Sequence, residues 1–175
     1  MNLVDELLWS VVGTNTPVCV STDSGSDYDL ATVMRVADDL VLLACVTPRG
    51  EFSGYKAIPP ESIVEVWTGG KYYNAVASLM ESFQPPKFPI ESCNSFNQLL
   101  DALVHEDCSV TLYRGDTDAP RGIIKDYDDT WIQAEMFTYV LGYAGTYYIR
   151  RSEIESYQFM GPRDCLVDSL NAGPA

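Results

Sequence analysis

Positive charge is scarce in this chain. Eleven Lys and Arg stand against 25 Asp and Glu in 175 residues, for a formal net charge of −14. Both halves share the deficit: residues 1–87 hold 11 acids and 5 bases, residues 88–175 hold 14 and 6. Binding to a phosphate backbone rests on neutralisation by Lys and Arg, so a general nucleic-acid surface is disfavoured. An acidic surface suits solubility or a basic partner. Histidine is nearly missing as well. The single His105 excludes His-rich metal sites and any mechanism needing two imidazoles, and its place near a helix end reads as a surface or capping role.

Other absences narrow the field further. The five cysteines, Cys19, Cys45, Cys93, Cys108 and Cys165, are scattered and form no C-x-x-C, which reads as buried free thiols in a reducing compartment. The phosphate-loop, dinucleotide and nucleophile-elbow glycine patterns do not occur, so the common nucleotide and hydrolase signatures are missing. No apolar run nears the roughly 18 residues that cross a bilayer. Acids in Met1-Asn2-Leu3-Val4-Asp5-Glu6 stand where a secretory signal needs bases. The expectation is a cytoplasmic protein that is not an enzyme, with no metal, no cofactor and no membrane partner.

What is present occurs twice. Each half opens with an amphipathic helix: Leu3, Leu7 and Val11 beside Val4, Leu8 and Val12 in one, and Phe96, Leu99, Leu100 and Leu103 in the other. Ser95 stands three residues before Gln98, a capping-box start. Alternating runs follow, Val18-Cys19-Val20 and Val110-Thr111-Leu112, which read as strands. Turn-rich segments 23–27 and 115–118 lead to second strands through Thr32–Val36 and Gly122–Lys125. Asp38-Asp39 and Asp128-Asp129, offset by 90 residues, mark one tight turn in both halves. Apolar strands come next (Leu40–Ala44, Trp131–Ala134), then Gly54 and Gly145 leading into fourth strands that end at Ile58 and Ile149, then fifth strands from Ile63 and Ile154.

Each half closes with a weaker helical pattern, Val76, Leu79, Met80 and Phe83 or Leu166, Val167 and Leu170, the second with Pro162 at its first position. Pro85, Pro86 and Pro89 preclude helix interior or central strand between them. The expected organisation is a first copy over 1–84, a Pro-rich linker over 85–92 and a second copy over 93–175. Five short strands and two small helices per copy point to a mainly β chain of two small barrels.

The second copy resembles the Sm-like family. Gly122, Ile124, Tyr127, Asp128 and Trp131 are spaced like its first motif, and Tyr148-Ile149-Arg150-Arg151-Ser152-Glu153-Ile154 is similar to its second. The first copy fits through Asp38, Val41, Ile58 and Ile63. The resemblance implies two tandem five-stranded Sm-like barrels, each preceded and followed by a short helix; other SH3-like barrels would share much of the pattern. Family members bind single-stranded RNA in a ring, using an asparagine of the first motif and an arginine of the second. Here the asparagine positions fall at Ile132 and Leu42, and the arginine positions at Arg150 and Pro59. The RNA-reading chemistry is largely replaced.

One basic group is a candidate anion or RNA contact: Lys125, Arg150 and Arg151, brought together if the connections after the second and fourth strands lie side by side. Neutralisation of Lys125 by Asp126, Asp128 and Asp129 is the plainer expectation. Tyr147 and Tyr148 are adjacent on one strand and so face opposite ways, one packed and one on the surface, or both at a subunit interface. Asp23, Asp27 and Asp29 lack calcium-loop spacing and read as a polar hairpin. Open five-stranded barrels leave edge strands that pair with a neighbour. The functional expectation is therefore an interaction or assembly protein that self-associates through barrel edges. A degenerate RNA binder using the second copy, or an acidic inhibitor of a basic protein, are the alternatives.

Overall fold

A computed structural model describes residues 3–22, 28–80, 83–88, 93–114, 120–138 and 142–161. The first half runs α1 (Leu3–Val11), β1 (Pro17–Ser21), β2 (Asp29–Val36), β3 (Val41–Val46), β4 (Phe52–Ile58), a 3-10 helix (Pro60–Ser62), β5 (Glu65–Trp67) and α2 (Lys71–Ala77). The second runs α3 (Phe96–His105), β6 (Ser109–Tyr113), β7 (Arg121–Tyr127), β8 (Trp131–Phe137), β9 (Tyr143–Arg150), a 3-10 helix (Arg151–Glu153) and β10 (Ser156–Phe159). The expected turn segments 23–27 and 115–118, the closing helix over Leu166, Val167 and Leu170, and Cys165 lie outside the described residues.

Short helices of this length are marginal on their own, so packing and capping must hold them. Leu8 and Val11 turn α1 onto the sheet. At the start of α3, the Ser95 hydroxyl accepts from the Gln98 backbone amide at 3.3 Å, and the Gln98 side-chain Oε1 accepts from the Asn94 backbone amide at 2.6 Å. The Ser95 half of the capping box is therefore built as its spacing predicts, while the Gln98 side chain closes on the amide one residue before the cap. The sequence gives no hint of the second cap: Asp39, in the first half, accepts from the Phe96 amide through both carboxylate oxygens, at 3.1 and 3.2 Å.

All ten strands form one antiparallel sheet in the order β5-β1-β2-β3-β4-β10-β6-β7-β8-β9. Each half contributes its strands in the same order, fifth, first, second, third, fourth, and β4 joins the halves by pairing with β10. The mainly β class is thus observed, as one open sheet through both halves. Nor is the segment between them a bare tether. The Tyr55 hydroxyl donates to the Pro86 carbonyl, and Phe88 packs on Phe159 with ring centres 5.6 Å apart.

The registers correct the alignment of the repeat. The β2–β3 pair Val36 and Val41 corresponds to the β7–β8 pair Tyr127 and Ile132, 91 residues on, and the bulges between Val33 and Arg35 and between Ile124 and Asp126 keep that offset. In the turn itself, the Ala37 amide donates to Leu40 and the Asp128 amide to Trp131. Asp128 therefore matches Ala37, and Asp129 matches Asp38; the aspartate pairs share a turn but stand one place apart in it. Ile132 likewise matches Val41 and not Leu42. The offset of 90 aligned like with like and missed the hydrogen-bond frame.

Two further expectations shift. Gly54 and Gly145 lie inside β4 and β9, at φ 118° and 134°, rather than before them. A Cβ on Gly54 would meet the Gly161 backbone at 2.9 Å, so glycine there permits the end of β10 to close on β4. The helix expected through Phe83 stops at Ala77; Val76 and Met80 are buried, while Leu79 is exposed.

Two apolar layers result. One lies under α1, where Leu8 and Val11 meet Val18, Val33, Val41, Leu43 and Ile58. The other crosses the junction: Leu42, Ala44 and Tyr55 on the far face of the first half are continuous with Leu99, Leu103, Ile132, Tyr157 and Phe159 of the second. The ring of Tyr55 stacks on Phe159 at 5.7 Å. Of the cysteines, Cys19, Cys45, Cys93 and Cys108 are free and buried, and burial raises the Cys45 thiol far above its usual range.

Candidate functional site

The three basic residues are held by three different sets of partners. Lys125, beside the β7 bulge, places Nζ 2.5 Å from Asp107 and 3.7 Å from Glu135. The Asp107 hydrogen bond is the main cause of its raised pKa. Its neutralisation was expected, but from Asp126, Asp128 and Asp129; the carboxylates that act come from the α3–β6 connection and from β8. Arg151 donates from Nη1 to the Asp128 carbonyl and from Nη2 to the Asn97 side chain, both at 2.9 Å, and lies 5.7 Å over the Tyr127 ring. Arg150, one residue earlier, lies 4.8 Å over Trp131, its cross-strand partner.

Tyr127 links these elements. Its hydroxyl donates to the Asp101 carboxylate at 2.6 Å and reaches the Asn97 carbonyl at 3.0 Å. Burial, helped by the Asp101 bond, pushes its pKa up to about 12. Asp128 serves the turn, as the sequence implied. Its Oδ1 accepts from the Thr130 and Trp131 amides, each at 2.7 Å, and these bonds hold its carboxyl below the usual range. The group is a brace joining α3, the β7–β8 turn and the 3-10 helix after β9. Lys125 and Arg151 already have acceptors, while Arg150 rests on the Trp131 ring.

A different polar residue marks the junction, and nothing in its spacing predicts it. Lys56 on β4 is 7% exposed. Its Nζ sits 2.5 Å from Asp29 at the start of β2 and 4.7 Å from the ring centre of Tyr113 on β6. Burial pulls its pKa down, and Asp29 more than offsets this, so the net shift is upward. A buried ammonium needs such a partner, and here the cation touches a strand from each half.

The ends of the sheet are β5 and β9. On β9, Tyr147 and Tyr148 are 48% and 65% exposed, so both are on the surface, and neither fills the core. Tyr147 stands opposite buried Ala134, on the core side of the sheet, yet stays open, with no strand beyond it among the described residues. At the other end, Trp67 on β5 meets Tyr28 edge to face at 4.9 Å, and Tyr28 meets Tyr72 at 6.3 Å. No family model, no curated protein and no solved structure matches the chain.

Proposed function

We propose that this is a non-enzymatic assembly protein built on tandem Sm-like units, in which chains join edge to edge. The observation that carries the reading is the β4–β10 junction. Inside one chain, the fourth strand of one half pairs with the fifth strand of the other, with Ala57 opposite Tyr157, Lys56 opposite Gln158 and Tyr55 opposite Phe159. What remains at the ends is one fourth-type edge, β9, and one fifth-type edge, β5. A second chain offers the complementary edge to each, so the contact is head to tail and extends until it closes into a ring.

Carried across the repeat, the register sets Tyr148 opposite Val66, Tyr147 opposite Trp67 and Thr146 opposite Thr68 of the next chain. Exposed aromatic residues then fall at the contact, where such residues are enriched. β9 has no proline and no lysine, so it lacks two common devices that keep an edge from pairing. The RNA alternative draws less support, because Lys125 and Arg151 are committed to acceptors within the chain.

Light scattering at micromolar concentration tests the reading: the expected mass is a whole multiple of 19.4 kDa. A variant carrying Val66→Cys and Tyr148→Cys should form disulfide-linked chains on mild oxidation, whereas either single variant should give no ladder. A strict monomer, or no ladder from the double variant, would sink it.

A further inference from the structure

A groove of about 910 Å³ runs between α1, the end of β2, the start of β3 and the 3-10 helix after β4. Its apolar lining includes Trp9, Val36, Val41 and Ile63, with Trp9 51% exposed although it is a large aromatic residue. Its charged lining is Asp5, Glu6, Asp38 and Glu61, with no base among the described residues that line it. Singly exposed apolar residues are ordinary, but a contiguous apolar groove with a rim of one sign is the form taken by interaction sites.

At the matching place in the second half the opening is smaller, about 360 Å³, and Asn97, Asp129, Arg151 and Ser152 line it together with Asp39 and Glu61 of the first half. The partners of Val36 and Pro60 there are Tyr127 and Arg151, in the frame set by the strand registers. Tyr127 reaches across to Asn97 and Asp101 on α3, and Arg151 covers its ring and binds Asn97. Valine and proline carry no polar end with which to bridge to α1. The same fold thus braces its helix in one half and leaves a groove under its helix in the other.

We infer that this groove docks a basic amphipathic segment of a partner protein, whose apolar side chains enter between α1 and β2 while its Lys or Arg face the four acids. Charge decides among occupants. A phosphate backbone, or an acidic face of a second copy, would meet only the acids Asp5, Glu6, Asp38 and Glu61 at the rim. A basic segment is drawn in, and its docking weakens with salt. The groove is separate from the β5 and β9 edges, so this inference does not depend on the assembly reading.

The test uses fluorescence anisotropy of the full chain with a fluorescein-labelled Leu/Lys peptide whose leucines recur at i, i+3, i+4 and i+7. The control is the same composition scrambled so that no apolar face forms. Binding by the patterned peptide should weaken about tenfold in Trp9→Glu, a change of roughly 1.4 kcal/mol, and by a similar factor in Val36→Tyr, which copies the braced half. Trp9 is exposed, so Trp9→Glu should leave the thermal midpoint in place, and it decides the matter should Val36→Tyr fail to fold. Equal binding of the scrambled peptide, or unchanged binding by Trp9→Glu, overturns the inference. So does displacement of the peptide by single-stranded RNA, or a smaller assembly in Trp9→Glu, which would make a second copy the occupant.

Discussion

The two halves share strand order, bulges and register, yet they stand in the sheet differently. In the first, β3 (Val41–Val46) is buried at every residue; in the second, its counterpart β8 (Trp131–Phe137) alternates between buried and more open positions. Leu42 and Ala44 correspond to Gln133 and Glu135. The apolar pair lies in the cluster that continues into the second half, while the polar pair looks outward. One topology therefore tolerates either a sheet covered on both faces or a sheet covered on one, and the residues at every second position decide which. At this position β3 is covered on both faces and β8 on one.

Exchanging matched residues gives the sharpest test of that contrast. Ala44→Glu places an unpaired carboxylate in a fully buried site and should cost more than about 4 kcal/mol, whereas Glu135→Ala should stay within roughly 0.5 kcal/mol. Urea unfolding of both variants reads the difference, and similar losses would show that the faces are equally covered. Next comes the junction. Lys56→Ala should cost about 3 kcal/mol by leaving Asp29 without its cation, while Tyr147→Ala, at the matching exposed position, should cost much less in the isolated chain. A double-mutant cycle with Asp29→Ala should recover a clear coupling; additive losses would argue against the pair.

Smaller effects follow at the brace. Tyr127→Val gives the second half the residue of the first, and losing the hydroxyl bond to Asp101 with its ring contacts should cost about 1–1.5 kcal/mol. An unchanged melting temperature would count against the brace. The pH dependence is the mildest expectation. Lys56 and Tyr127 both hold their protons more tightly folded than unfolded. Their contributions are therefore complete below the unfolded values near 10 and fade as the pH climbs toward 12 and beyond. Melting temperature should fall over that range, less steeply in Lys56→Ala. A rise would reverse the sign of the linkage.

Much of the local structure was readable from the chain. The helix stripes, the alternating runs and the Ser95 cap were legible because their partners lie within a few residues, and both 3-10 helices fell between the expected fourth and fifth strands. The frame of the repeat was harder. Aspartates 38 and 128 look equivalent as letters, but the turn hydrogen bonds align Asp128 with Ala37. The partners of the basic trio were hidden for a related reason: Lys125 found Asp107 and Glu135, and Arg151 found Asn97, across distances in sequence that no spacing rule covers. Lys56 and Asp29 were missed too, since a lone lysine in an apolar strand names no partner.

Sequence alone settled which segments extend and which coil, since backbone propensity and side-chain period act over a handful of neighbours. Only the folded chain settled which sheet faces are covered, how β4 meets β10, and where Asp39 and Lys56 spend their charges. Those outcomes depend on which surfaces happen to meet, and desolvation and pairing energies exist only once they have met.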